Sequence, residues 1–123
     1  MTTRTITDHR INGLNDALEI RTTGEPGTGG APTDYIIQLN SRIGRAWVLN
    51  FQNGPIATPD DFNGLTNEAL LAVLIDRMRG FQSGKFACRE NAVALTKMEE
   101  ALMWLQKRTL DRVRRGVEGS LKP

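Results

Sequence analysis

Residues 66–78, TNEALLAVLIDRM, and residues 87–115, ACRENAVALTKMEEALMWLQKRTLDRVRR, decide the fold of this chain. In the first stretch Leu70, Leu71, Leu74, Ile75 and Met78 recur at helical spacing and gather into one apolar stripe. Thr66 stands where a capping hydroxyl is needed, and Glu68 falls in the first turn, where the helix dipole favours an acid. In the second stretch Leu95, Met98, Leu102, Leu105 and Thr109 follow the heptad spacing of a long antiparallel or intersubunit seam. Gly116 is a natural stop. Gly80 and Gly84 bracket Phe81-Gln82-Ser83, which reads as a tight turn, so the two helices should form a hairpin. The second helix would be about 42 Å long, more than a domain of this size can cover. Its projecting end calls for another subunit.

Composition changes character near residue 65. Upstream, Gly, Pro, Thr and Asn are frequent and apolar residues come in short runs. A strand is expected around Asp16–Thr23, where Leu18, Ile20 and Thr22 alternate with Glu19 and Arg21. Gly24–Pro32 cannot hold a regular element and reads as a flexible loop or hairpin tip. Tyr35–Leu39 and Arg45–Phe51 are the next two strands, joined by a turn over 40–44, and Asp60–Gly64 is a turn-rich connector. The expected fold class is therefore α+β: an N-terminal antiparallel β-sheet followed by a C-terminal two-helix antiparallel hairpin with a long second helix. We read 1–123 as a single domain, with a sheet part over about 14–62 and the flexible loop at 24–32. The helical hairpin takes 65–116, and 117–123 is a tail.

With 123 residues, 39% apolar and 24% charged, the chain has the make-up of one globular domain. Its net charge of +2 is too small for a general polyanion binder. The positive excess concentrates at Lys107, Arg108, Arg112, Arg114 and Arg115, so an anionic partner should meet the C-terminal part. One cysteine, no apolar leader and no run of roughly 18–20 apolar residues point to a cytoplasmic protein away from membranes.

Catalytic equipment is scarce. His9 is the one histidine and lies in an N-terminal segment expected to be mobile. One histidine and one cysteine supply neither a His-based general acid–base nor a metal site, and no cofactor is implied. Cys88, near the start of the second helix, reads as a small buried residue beside the hairpin turn. Glu99 and Glu100 are neighbours on a helix and point about 100° apart, so they form no dyad. The glycine-rich stretch 24–30 matches neither phosphate-binding fingerprint.

Anion binding is better supplied. Arg108, Asp111, Arg112 and Arg115 occur at i, i+3, i+4 and i+7, on one face of the second helix. Guanidinium groups bind phosphate bidentately, so such a row can clamp a pyrophosphate, with Asp111 steadying it or accepting from a base or ribose hydroxyl. Phe81 and Phe86 flank the turn, where a ring can stack on a nucleobase, and the Asn91 amide suits an adenine edge. Glu90, Glu99 and Glu100 would repel a long polyanion, which disfavours nucleic acid against a compact ligand.

Three segments carry a resemblance: residues 63–77 (NGLTNEALLAVLIDR), 81–91 (FQSGKFACREN), and 98–109 (MEEALMWLQKRT) continued by Asp111-Arg112 and Arg115-Gly-Val-Glu-Gly119. Together they resemble the C-terminal helical hairpin of the phage Thoeris anti-defence sponge family, a hairpin shared with the phage anti-CBASS sponges for cyclic dinucleotides. The resemblance covers about residues 49–119. It implies a protein that is not an enzyme. Such a protein sequesters glycocyclic ADP-ribose intact in the host bacterial cytoplasm, with cyclic di- or trinucleotides as further ligands and self-association as a dimer or hexamer. It also implies roles for particular residues: Phe81 stacks the base, Asn91 is its polar partner, and Arg108 and Arg112 hold phosphate. Asp111 lies on the same face as a family acid. A further family arginine from the sheet side has three candidates, Arg21, Arg42 and Arg45. A second ligand site near Arg114-Arg115-Gly116 stays open. The competing readings are a hydrolase of the same nucleotide, which would show turnover, and a small nucleic-acid module, which would show steep salt dependence.

Overall fold

A computed structural model describes residues 3–40 and 44–116. Its elements run β1 (Arg4–Ile6), α1 (Gly13–Asp16), β2 (Leu18–Thr23), β3 (Asp34–Leu39), β4 (Ala46–Asn50), α2 (Asn67–Gln82) and α3 (Arg89–Arg115), with a 3-10 turn at Pro59–Asp61. The chain divides into two compact units: residues up to 54 together with 60–65, and residues 55–59 together with 66 onward. The fold is α+β, with an antiparallel four-stranded sheet ahead of the helices and a long last helix.

The sheet is a meander in the order β1-β2-β3-β4. Its register brings Ile6, Ile20, Ile37 and Trp47 into one cross-strand row, and Thr22, Tyr35 and Leu49 into the next row on the same face. This is the apolar face expected from the alternation in β2. Phe51 continues it, its ring meeting Tyr35 edge-on at 5.6 Å. The opposite face mixes Ile36 and Val48 with polar residues and carries the Arg21–Gln38 (3.0 Å) and Asn50–Asp34 (2.9 Å) hydrogen bonds.

Three features of the N-terminal part differ from the sequence reading. β1 pairs with β2 through Arg4↔Thr22 and Ile6↔Ile20, so the sheet begins at Arg4 rather than near residue 14. Residues 13–16 form a short helix capped by Asn12, whose side chain accepts from the Asn15 amide at 3.0 Å, so Asp16 belongs to no strand. His9 is tied down as well, its Nε2 bonded to the Leu18 carbonyl. Three residues of β1 are too few to show a period, and β1 is held by its partner's pattern instead of its own.

The glycine-rich loop does join β2 to β3, and its base is pinned. The Thr28 amide donates to Asn53 Oδ1 at 3.1 Å, and a Cβ at Gly27 would stand 2.6 Å from that same oxygen. The connector after β4 is organised by amide side chains. Gln52 accepts from the amides of Asn63 (3.0 Å) and Gly64 (3.3 Å) and donates to the Asp61 carbonyl (2.8 Å). Gly64 then passes so near β4 that a Cβ would lie 2.5 Å from the Phe51 carbonyl carbon. That approach lets Leu65 form a parallel bridge with Phe51.

In the second unit Thr66 caps α2, its hydroxyl accepting from the Ala69 amide at 3.1 Å. Gly80 does not open the turn. α2 continues through it to Gln82, and Ser83 ends the helix, its hydroxyl donating to the Gly80 carbonyl at 2.8 Å. The Gln82 side chain closes the turn reciprocally, accepting from the Cys88 amide (3.1 Å) and donating to the Cys88 carbonyl (3.2 Å). α3 therefore starts at Arg89, with Cys88 as its cap. It ends at Gly116, which has φ 71°, the left-handed conformation that favours glycine. The expected tail and Arg42 lie outside the described residues.

Leu95, Met98, Leu102, Leu105 and Thr109 are all half-buried, as the heptad spacing requires. Arg79 bonds Glu99 across the hairpin at 2.8 Å. Among the described residues Ile75 is the one fully buried apolar side chain (3% exposed), while Leu74, Met103, Trp104, Leu110 and Val113 stay open. No helix of the described residues is long and apolar enough to cross a membrane.

Candidate functional site

Two groups of the expected residues lie at opposite ends of the hairpin. At the tip, Phe81 occupies the last turn of α2 and remains 37% exposed, with the Arg77 guanidinium 5.0 Å over its ring. Phe86, in the turn, is more open and carries the Lys85 ammonium at 5.4 Å. Asn91 sits in the first turn of α3, half-buried, its amide donating to Cys88 Sγ at 3.5 Å. This contact corrects the reading of Cys88 as a buried plug. A cap position lies outside the seam and turns its side chain along the helix end, so the thiol is exposed.

At the other end of α3, Trp104, Lys107, Arg108, Asp111 and Arg115 line an open depression of about 270 Å³. Asp111 is the hinge of this cluster, bonded to Lys107 at 2.8 Å and 3.8 Å from Arg114. The Lys107 hydrogen bond, helped by the charges of Lys107, Arg114 and Arg115, holds its carboxyl below the ordinary value of 3.8. It is therefore ionised at neutral pH and keeps the flanking cations from repelling one another.

Arg112 behaves differently from its neighbours. The half-buried row Asn91, Leu95, Met98, Leu102, Leu105, Thr109 continues at the same spacing to Arg112, which is 7% exposed. Arg108 and Arg115 are exposed. The one-face row expected from spacing thus contains different environments, an open one for Arg108 and Arg115, a half-buried one for Asp111 and a buried one for Arg112. Of the sheet-side candidates, Arg21 is engaged with Gln38 and lies 3.7 Å from Glu19, and Arg45 is exposed.

Seventeen positions of one continuous helix separate Asn91 from Arg108. At about 1.5 Å per residue the two lie about 26 Å apart along the axis, too far for one compact nucleotide to touch both. The hairpin therefore carries an aromatic end and a basic end that a single chain does not bring together.

Residues 48–110 match the family model of the Acb2/Tad1 hairpin domain, just over half of the chain. Over 84 residues the chain is 54% identical to the Thoeris anti-defense 1 protein of Bacillus phage SBSphiJ7, a match covering 68% of this chain and 58% of that protein. This chain belongs to the Acb2/Tad1 hairpin family. The Acb2/Tad1 match includes Phe81, Phe86, Asn91, Trp104 and Arg108, and Asp111, Arg112 and Arg115 follow it directly on the same helix. The match to the SBSphiJ7 relative spans little more than half of that protein's length. The structure adds two neighbours to the expected residues, Trp104 lining the depression and Arg77 over the Phe81 ring. The signal for the first was present in the sequence, since Trp104 precedes Arg108, Asp111 and Arg115 at i+4, i+7 and i+11 on a polar face.

Proposed function

We propose that the protein is a phage anti-Thoeris sponge: it binds glycocyclic ADP-ribose and withholds it intact from the host defence, in the host cytoplasm. The single observation that carries this reading is the family hairpin bearing an exposed aromatic at its tip and a basic cluster at the far end of α3. Phe81 stacks the base and Asn91 reads its edge. Arg108 and Arg115 hold phosphate beside the Lys107–Asp111 pair, Arg112 adds its charge from its buried position behind them, and Phe86 closes the tip side.

Because about 26 Å separates these groups along α3, the site joins the tip of one copy to the α3 end of another. Two antiparallel hairpins meet this requirement, each tip lying against its partner's arginines, so a self-associated protein is part of the proposal. The depression at the α3 end points the same way. At about 270 Å³ it falls below the roughly 300–1,000 Å³ of self-sufficient ligand pockets, and it needs a second wall. The exposed Met103, Leu110 and Val113 of α3 supply apolar surface for such a contact. A sponge needs tight binding and no turnover, and preorganised stacking with bidentate guanidiniums meets that need. Cyclic di- and trinucleotides are further ligands of this chemistry.

The test is to incubate the purified protein with glycocyclic ADP-ribose, remove unbound ligand, heat-denature, and identify what is released by mass spectrometry. Intact ligand in near-stoichiometric amount is expected. A cleaved product would replace the sponge by a hydrolase, and release of nothing would remove this ligand from the proposal.

A further inference from the structure

Trp104 is 65% exposed, an unusual state for the largest apolar side chain on a helix that also has a seam to fill. It does not stand on the apolar flank formed by Met103, Leu110 and Val113. It lines the depression shared with Lys107, Arg108, Asp111 and Arg115. The indole lies one turn before Arg108, about 6 Å along the axis, and about 16 Å before Arg115. A nucleotide carries its 5′ phosphate about one such turn from its base. A ligand whose phosphates sit on Arg108 thus brings a planar group over the indole. The floor is polar on one side and aromatic on the other, the pairing that single-strand and nucleotide binders use for stacking beside phosphate.

We propose that Trp104 is a second stacking element of the ligand site, holding a planar heterocycle of the nucleotide against the outer face of α3 while Arg108 and Arg115 hold its phosphates. The proposal rests on the nucleotide-binding reading above and adds a contact that reading does not contain. In the two-copy arrangement Phe81 of one copy and Trp104 of another form opposite walls of one slot. Asp111, held by Lys107, lines the same depression two turns beyond the indole and offers an acceptor for ribose hydroxyls. The arrangement selects for phosphates that carry a base. Inorganic pyrophosphate, which has none, gains only the arginine contacts.

The experiment uses full-length protein with ADP-ribose and inorganic pyrophosphate as probes. Trp47 and Trp104 are the two tryptophans of the chain, so a W47F background makes Trp104 the sole indole reporter. Addition of ADP-ribose should change Trp104 fluorescence saturably, and pyrophosphate should compete more weakly. W104A should weaken ADP-ribose binding roughly ten- to hundredfold, the range of a lost base–aromatic stack, leave pyrophosphate binding unchanged, and keep the oligomeric state. W104F should restore most of the affinity. If W104A binds ADP-ribose as wild type does while F81A and R108A do not, the inference falls and the sponge reading stands. A W104A protein that changes its oligomeric state with the loss would place Trp104 in a subunit contact and also overturn it. If wild-type protein binds neither ADP-ribose nor glycocyclic ADP-ribose, both readings fall together.

Discussion

If the stacking tip and the phosphate end of one site come from different copies, two inactive variants should repair one another. F81A removes a base stack worth about 1–3 kcal/mol, and R108A removes charge-assisted hydrogen bonds worth about 1.5–3 kcal/mol. Either loss weakens capture roughly tenfold to a hundredfold, enough for ligand to wash off during gel filtration. A functional site in an equal mixture needs its tip from the R108A chain and its arginines from the F81A chain. With random exchange between symmetric copies each condition is met half the time, so about one quarter of wild-type capacity should return. The converse mixture is as informative. Wild type exchanged with an F81A/R108A double variant should retain about one quarter of its capacity if sites are shared, against about one half if each chain holds its own. The assay is ligand released per mole of protein after mixing, mild dissociation and reassociation, with native mass spectrometry confirming that mixed assemblies formed. No recovery in demonstrably mixed assemblies would refute the two-copy site and the distance argument along α3.

Four further outcomes follow from local geometry. C88S should raise thermal stability by a few tenths to about 1 kcal/mol, because a hydroxyl caps the Asn91 amide better than a sulfur at 3.5 Å; a lower melting temperature would contradict the capping role. G64A should cost about 2–3 kcal/mol in urea unfolding, since its Cβ would strike the Phe51 backbone and break the Leu65–Asn50 (2.8 Å) and Gln52–Leu65 (2.7 Å) hydrogen bonds. I75A, at the buried centre of the hairpin, should lose about 2–5 kcal/mol, measured at fixed protein concentration because association adds its own stability. The Asp111 carboxyl should titrate by NMR below 3.8, and K107M should return it towards that value. A lowered folded value means that the Asp111 contribution is complete above the ordinary value and is lost as pH falls through the lowered one.

The helices were legible because their signals are redundant. The stripe marks both helices, a cap and a dipole-favoured acid mark the start of α2, a terminal glycine marks the end of α3, and Thr66, the 95–109 seam and Gly116 appear where those signals put them. Gly80 misled because a glycine in a helix lowers propensity without forbidding the conformation, and the stop depends on Ser83 and the Gln82 clamp. β1 was illegible because its three residues have no pattern outside their pairing with β2. The same limit applies at the site. Helical spacing shows that Arg108, Asp111, Arg112 and Arg115 share an arc, but burial differs within that arc and divides Arg112 from the others. Trp104 was hidden by residue type, since a tryptophan in an amphipathic helix reads as core until its exposure is known.

If the two halves of one site lie at opposite ends of the hairpin in different copies, as proposed, capture is tied to association. A ligand that touches the tip of one copy and the α3 end of another binds the associated form and neither separated chain, so it must also favour association. That linkage would suit the proposed sponge, which works by retention. Escape then requires the ligand to leave a slot closed on both sides, or two copies to part while the ligand holds them together, and both routes slow dissociation more than they alter encounter. The exposed Met103, Leu110 and Val113 bear on the same point. A single chain leaves them open to water, and covering them in the associated form supplies apolar burial that is independent of the ligand. Association driven by that flank can set the pocket walls in place before the ligand arrives, so less of the binding energy goes into ordering the site.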